Sequence, residues 1–222
     1  MTQIEIFAII VSQIKKIQNE KSKPIRVAVN GIEGTGKTTF ASALVKYLNG
    51  NRMKAVHVSI DGYHFNKEVR YRQGRDSSKG YYENSYNEAA FVEHVLQRSQ
   101  GSPPEYVEAT HDLVTDEYLD LCPKRIEDDT VLVTDGCYLL KPIFNDFWDF
   151  RIYLKTDFET AKIRGAKRDQ DALGGYDEAR RKFELRYHAA SKLYISDVNP
   201  ENLADLIIDN TDFECLKVVS SC

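Results

Sequence analysis

What the chain lacks narrows it first. Its four cysteines, at 122, 137, 215 and 222, include no Cys-x-x-C pair, so neither a zinc site nor a dithiol redox centre is indicated. Free thiols in a reducing cytosol are expected instead. There is no basic excess either: 30 Lys and Arg stand against 34 Asp and Glu, a net charge of −4. Such a balance supplies no broad positive field for nucleic acid or an anionic membrane. No apolar run is long. The stretch IEIFAIIVSQI (4–14) is too short for a bilayer, carries Glu5, follows no basic region and precedes no small-residue cleavage site. Its Ile4, Phe7, Val11 and Ile14 recur at helical spacing and predict a helix lying on the domain. Repeats and low-complexity segments are absent as well. At 222 residues, 42% hydrophobic and 29% charged, the chain suits one α/β domain spanning 1–222.

What is present begins at VAVNGIEGTGKTTFAS (27–42). Gly31, Gly36, Lys37 and Thr38 fit G-x-x-x-x-G-K-[ST], a phosphate-binding loop pattern. The apolar run from Ile25 to Val29 reads as a buried parallel strand. Phe40, Ala43, Leu44, Tyr47 and Leu48 then recur at helical spacing until Asn49-Gly50 stops the helix. A glycine-rich turn between a strand and a helix N-terminus can surround phosphate oxygens with backbone N–H groups, and the helix dipole favours the negative charge. The loop from Gly31 to Thr39, with Glu33, Gly34, Thr35 and Gly36, is expected to hold a nucleoside triphosphate, ATP or GTP. Lys37 would neutralise the β/γ-phosphates and Thr38 would offer a hydroxyl to Mg²⁺.

Further apolar runs at 54–60, 131–135, 151–155 and 204–209 alternate with helical patterns. That alternation predicts an α/β fold: a mostly parallel five-stranded sheet with helices on both faces. Ligands of such sheets bind beyond the carboxyl ends of the strands. Asp61, Asp135 and Asp157 stand at three of those exits. Asp157, in TDFETAKIR, has the form of a helix N-cap and is assigned no chemistry. Asp135 closes its strand as a metal-side acid does in P-loop enzymes, so Thr38 and Asp135 are the candidate metal residues. The sequence leaves open whether Asp61 or Asp135 is the main metal-side carboxylate.

Asp61 opens a long insert, 62–87, that mixes Arg70, Arg72, Arg75 and Lys79 with five tyrosines from Tyr63 to Tyr86. No strand or helix is expected in it before about Asn87. Long inserts of that kind are usually functional, and arginines with tyrosines suit a polar substrate beside the nucleotide. A second cationic stretch, AKIRGAKRDQDALGG (161–175), puts Arg164 and Arg168 on one helix face, with Gly174-Gly175 as a hinge. It is expected to form a mobile lid over 161–176.

Together GIEGTGKTT, SIDGYHF, RYRQGRDSSKGYY, VLVTDGCYLL, RGAKRD and ADLIIDN resemble the phosphoribulokinase and uridine kinase family, from Lys23 to Asn210. The resemblance implies a P-loop NTPase fold and a kinase acting on a small hydroxyl-bearing substrate, with a homo-oligomer left open. It makes Asp61 the acceptor of the hydroxyl proton and assigns Arg164 and Arg168 to the lid, Arg168 serving catalysis and Arg164 the nucleotide. It also implies that Tyr106 and His111, in PEYVEATH, face the acceptor. Tyr63, His64, Arg70, Tyr81, Tyr82 and Asn87 are the other candidates for the acceptor pocket. Two residues depart from the uridine kinase pattern: Asp135 replaces a glutamate, and Asn87 stands near the place of a ribose-binding aspartate. The preferred acceptor is the 5′-hydroxyl of uridine or cytidine, with pantothenate or a sugar as rival. A nucleotide switch is the rival of another class. Its guanine-reading Asn-Lys-x-Asp is missing, because Asn66-Lys67 continues Glu-Val.

Overall fold

The computed structural model of the chain describes residues 1–221; Cys222, expected as a free thiol, lies outside the described residues. In chain order the strands are β1 (Ile25–Gly31), β2 (Ala55–Ser59), β3 (Glu105–Val107), β4 (His111–Asp112), β5 (Glu117–Tyr118), β6 (Pro123–Arg125), β7 (Val131–Gly136), β8 (Phe150–Lys155), β9 (Leu206–Asp209) and β10 (Lys217–Ser221). The helices are α1 (Gln3–Glu20), α2 (Lys37–Gly50), α3 (Lys67–Arg70), α4 (Ser78–Asn84), α5 (Glu88–Phe91), α6 (Phe158–Leu173), α7 (Tyr176–Lys182) and α8 (His188–Val198).

The main sheet runs β10-β9-β8-β1-β7-β2. Its five expected strands are mutually parallel, and β10 adds a sixth, antiparallel to β9 at the edge. The sequence hides β10 because KVVSS is too short to show a period. Strand alternation divides the core in two. Val27, Val29, Val133 and Ile152 pack under α1 and α2, whereas Ala28 and Leu132 meet Phe91, Val95 and Tyr194 on the opposite face. Thr2 caps α1 in a reciprocal box with Glu5. The buried face of α1 is Ile6, Phe7, Ile10 and Ile14, and Ile4 is exposed. The expected face is thus rotated, because a run with so many apolar residues permits more than one helical stripe.

Asp149 clamps the sheet's lower end. It accepts from the Arg26 backbone N–H at 2.7 Å, from Arg26 Nε at 3.1 Å and from Lys21 Nζ at 2.6 Å. Ordered structure also reaches into the insert. Asn66 and Ser77 cap α3 and α4 through their side chains, accepting from Val69 N and Gly80 N. Two short helices therefore replace the expected structureless stretch. Asp157 does cap α6, accepting from Thr160 N at 2.8 Å. Gly174 and Gly175, at φ 91° and 105°, form the turn joining α6 to α7, so the expected hinge is the tip of a helical hairpin. At its base α6 and the π-helical segment Phe183–Tyr187 touch closely: a Cβ on Gly165 would lie 2.1 Å from Phe183 Cζ.

Candidate active site

Between β1 and α2 the chain turns through Ile32–Gly36, with Gly34 and Gly36 at φ 86° and 89°. Only glycine takes that conformation without strain. Three side-chain bonds shape the loop: Thr35 Oγ1 donates to Ile32 O at 2.7 Å, Lys37 Nζ to the same carbonyl at 2.8 Å, and Asn210 Nδ2 to Thr35 O at 2.6 Å. Beyond it opens a cavity of about 370 Å³, lined by Glu33, Gly34, Gly36, Lys37, Thr38, Thr39, Asp61, Asp135 and Arg168 among others. Gly31 and Thr35 do not line it. Gly31 is needed for packing, since a Cβ there would stand 2.6 Å from Leu154 O, and Thr35 is wholly buried as an internal brace.

Asp135 stands one residue before the end of β7 and lines the cavity. Its Oδ2 accepts from Thr38 Oγ1 at 2.6 Å, and its Oδ1 lies 2.7 Å from His57 Nε2. Burial would raise its pKa, but the bonds from His57 and Thr38 outweigh it and hold the carboxyl below the usual range. The group is thus an anion with a hydroxyl beside it. Among the described residues no cluster of three or more His, Cys, Asp or Glu could hold a metal ion alone. One carboxylate and one hydroxyl fit Mg²⁺ bound mainly by water and phosphate oxygens.

A second cavity, about 260 Å³, is lined by His64, Arg70, Tyr71, Tyr81, Leu113, Phe183, Arg186 and Tyr187, with others. Glu33, Asp61, Arg168 and Asp169 wall both cavities. Asp61 is exposed where it opens into both cavities, yet protein rings it on its other sides. That desolvation, with Glu33 and Asp135 adding, raises its pKa against the opposing pull of His64 and Lys37. Tyr86 donates to Asp61 Oδ1 at 3.1 Å. His64 Nδ1 donates to the Asp61 carbonyl at 2.8 Å, and burial lowers the pKa of the ring, leaving it neutral with Nε2 as an acceptor. Glu33 takes a 2.5 Å bond from Tyr81; burial works against its ionisation, but Lys37 and Tyr81 prevail and its pKa falls.

Several expected residues lie elsewhere. Tyr63 is wholly buried and donates to Val107 O, because the 3₁₀ turn Ile60–Tyr63 after β2 directs its ring against Phe91. Tyr82 packs edge-on against Tyr138 with Lys141 Nζ 4.2 Å from its ring centre, and burial pushes its pKa up to about 12. Asn87 is spent as the N-cap of α5, accepting from Ala90 N. Tyr106 is buried in β3. His111 is buried behind the cavity wall, 3.4 Å from Asp116, which in turn pairs with Arg70 at 2.9 Å. Arg164 lines neither cavity. It forks onto Asn210 O and Thr211 O at 2.8 and 2.6 Å and stacks 3.6 Å from the Phe213 ring centre, tying the loop after β9 to α6. Arg168, one turn on, faces both cavities and pairs through Nε and Nη2 with Asp169 at 2.7 and 2.8 Å.

The sequence reading missed Tyr86, Arg186, Tyr187 and His57. A histidine inside an otherwise apolar strand was a usable signal for His57. For Arg186 and Tyr187 none existed, since a π-helical segment breaks the period that would have oriented them.

A glycine-turned loop on a helix N-terminus, with a buried lysine and a strand-end carboxylate, defines a P-loop protein that binds a nucleoside triphosphate. Residues 26–212 match the Phosphoribulokinase / Uridine kinase family, and the chain belongs to that family. It is a kinase that transfers phosphate to a hydroxyl of a small substrate. A uridine kinase of Ligilactobacillus salivarius is 23% identical over 160 residues, 70% of this chain and 71% of that protein. A possible uridine kinase from Bacillus stearothermophilus shares the fold with a TM-score of 0.67 at 18% identity, over 89% of this chain and 98% of that one. A D-glycerate 3-kinase from Cryptococcus neoformans does so at 0.63 and 12% identity, over 97% and 98%. No helix is long and apolar enough to cross a membrane, and Cys122, Cys137 and Cys215 are free.

Proposed function

We propose that the protein transfers the γ-phosphate of ATP, with Mg²⁺, to the primary hydroxyl of a small polar acceptor in the cytoplasm. One observation carries the reading: Glu33, Asp61, Arg168 and Asp169 wall both the P-loop cavity and its neighbour, so a phosphate in one and a hydroxyl in the other meet at these residues. Phosphoryl transfer needs positioning and charge stabilisation more than covalent chemistry. Lys37 and the loop N–H groups hold the β- and γ-phosphates. Thr38 and Asp135 offer oxygen donors to the metal, whose charge would offset that of the phosphates. Asp61 orients the acceptor hydroxyl and takes its proton as the oxygen bonds to phosphorus. Its raised pKa makes it a better base than an ordinary aspartate. Arg168 exchanges Asp169 for the transferring phosphoryl group when α6 and α7 close as a lid, a unit larger than 161–176. The chain acts as one domain, with 62–87 shaping the acceptor side.

The 5′-hydroxyl of uridine or cytidine has the support of the uridine kinase relatives, and pantothenate or a sugar would meet the same chemistry. Tyr106 and His111 no longer argue for a nucleoside, since neither lines the acceptor cavity, and Asn87 is spent on its helix cap. A coupled ADP-release assay with and without a panel of hydroxyl acceptors is the test. Release that requires an acceptor supports a kinase. Release at full rate without one would replace it by an ATPase switch.

A further inference from the structure

One cation in the acceptor cavity is left unanswered by the rest of the molecule. Arg186 is 8% exposed and stands in the π-helical segment Phe183–Tyr187. Arg70 and Arg168, which line the same cavity, are paired with Asp116 and Asp169. Among the described residues Arg186 has no such partner, and its buried Nε bonds to nothing. The guanidinium instead sits among three rings, 5.1 Å from Tyr71, 4.9 Å from Tyr81 and 5.4 Å from Tyr187.

Ring faces attract the charge, but they accept no in-plane N–H bond. An arginine carries five donors in a fork that matches a carboxylate or a phosphate through two parallel bonds. A buried charge without a counter-ion is costly, and the acids lining this cavity are not free to serve. Glu33 is held by Tyr81, and Asp169 by Arg168. Asp61 takes the Tyr86 hydroxyl and lies beyond ion-pair distance of Arg186. Its donors are thus left for a ligand in the cavity.

We propose that the acceptor is an anion, a small hydroxy acid or a phosphorylated polyol, whose carboxylate or phosphate is seated on Arg186 while its free hydroxyl faces Asp61. The inference rests on the reading of this cavity as the acceptor seat. A neutral nucleoside would leave the guanidinium rim unpaired on binding.

The test fills the P-loop first, with Mg²⁺ and a non-hydrolysable ATP analogue, so that no added anion can bind there. The complex is then titrated with glycerate, ribose 5-phosphate and uridine. One of the two anions is expected to bind more tightly than uridine, and the one that does so tells carboxylate from phosphate. Arg186→Gln should weaken that anion by roughly 10- to 150-fold, the value of a charge-assisted bond, while uridine binds no more weakly than to the wild type and the ATP analogue is unaffected. Arg186→Lys, which keeps the charge without the fork, should fall between, and it replaces Arg186→Gln if that variant does not fold. Failure of both anions to bind, equal binding by the variant, or tighter binding of uridine would each overturn the proposal. Acceptor-dependent ADP release with uridine would then leave the kinase reading standing. Loss of that reading would show separately, as release without any acceptor.

Discussion

Asp61→Asn separates chemistry from architecture, because it keeps the shape of the side chain and removes its basicity. In the native site Oδ1 accepts from Tyr86 at 3.1 Å, the carbonyl accepts from His64, and the backbone N–H donates to Ser59 Oγ at 3.3 Å. An amide oxygen can keep the first bond, and the other two involve only backbone. General-base assistance is worth about 10²–10⁴-fold, roughly 3–5 kcal/mol of barrier, so kcat should fall by that factor. ATP affinity should change little, since Lys37 and the loop are untouched. The stability sign is opposite to that of a structural residue. A carboxylate whose folded pKa lies above its unfolded 3.8 loses stability as pH rises through that interval, and above it the folded state carries the whole cost of the charge. Asn removes that cost, so Tm at neutral pH should stay level or rise. The wild-type rate should fall on the acid side at a pH above 3.8, and the variant should lose that limb. The assay is kcat, nucleotide affinity and Tm across a series of pH and Mg²⁺ concentrations. A full-rate variant would refute the mechanism, and recovery by added Mg²⁺ would reassign Asp61 to the metal.

Five other changes bear on the site and its support. Lys37→Ala should weaken Mg-ATP binding and nearly abolish turnover in a folded protein; unchanged kinetics would remove the P-loop argument. Asp149→Ala leaves Arg26 buried without its partner and should cost about 3 kcal/mol, roughly 6–12 °C in Tm by thermal melting. Because the folded pKa of Asp149 is lowered, by Arg26 and Lys21 against burial, the wild type keeps this stability above pH 3.8 and loses it as pH falls further, a loss the variant should not show. Gly165→Ala drives a methyl into the buried Phe183 ring and should cost about 1–3 kcal/mol while raising the acceptor KM. Gly50→Ala, with nothing within 4 Å, should leave Tm level or higher. His111→Ala should lower stability by about 1–3 kcal/mol and leave the ATP KM constant. A specific loss of acceptor binding at unchanged Tm would restore His111 to direct contact.

The phosphate side of the site was legible because it is local. Strand, glycine turn, lysine, hydroxyl and helix occupy residues 25–50 without interruption, and the backbone conformation that cradles an anion requires those residue types in that order. Asp135 and Asp61 were legible through topology, since parallel strands deliver their last residues to one edge. The acceptor side was legible only in part: His64, Arg70 and Tyr81 were expected there and do line the second cavity, whereas Leu113 and Arg186 were not expected. His64, Arg70, Tyr81, Leu113 and Arg186 come from the turn after β2, α3, α4, the loop after β4 and a π-helical segment. No sequence period relates these pieces. Tyrosines misled for a physical reason: Tyr63, Tyr82 and Tyr106 carry enough apolar ring to serve the core, and packing claimed them.

That split has a consequence for how the family's acceptors can differ. The residues shared by the two cavities lie in the P-loop, just beyond β2 and on α6, where the fold holds them for phosphate chemistry. The acceptor cavity draws its remaining wall from the insert after β2, the β4–β5 hairpin, the end of α6 and the segment after α7, and none of these belongs to the main sheet. Changes there can alter the ligand's charge or size without moving Lys37, Asp61 or Asp135. A D-glycerate 3-kinase from Cryptococcus neoformans shares the fold with this chain at 12% identity. Arg186 lies on that wall and carries the one charge there without a protein partner among the described residues. Phosphoryl transfer requires no cation at that place, since Lys37 and Arg168 already line the P-loop cavity. On the proposal made above its charge answers that of the acceptor, and titrating anionic and neutral acceptors against the same filled P-loop tests that match apart from the transfer step.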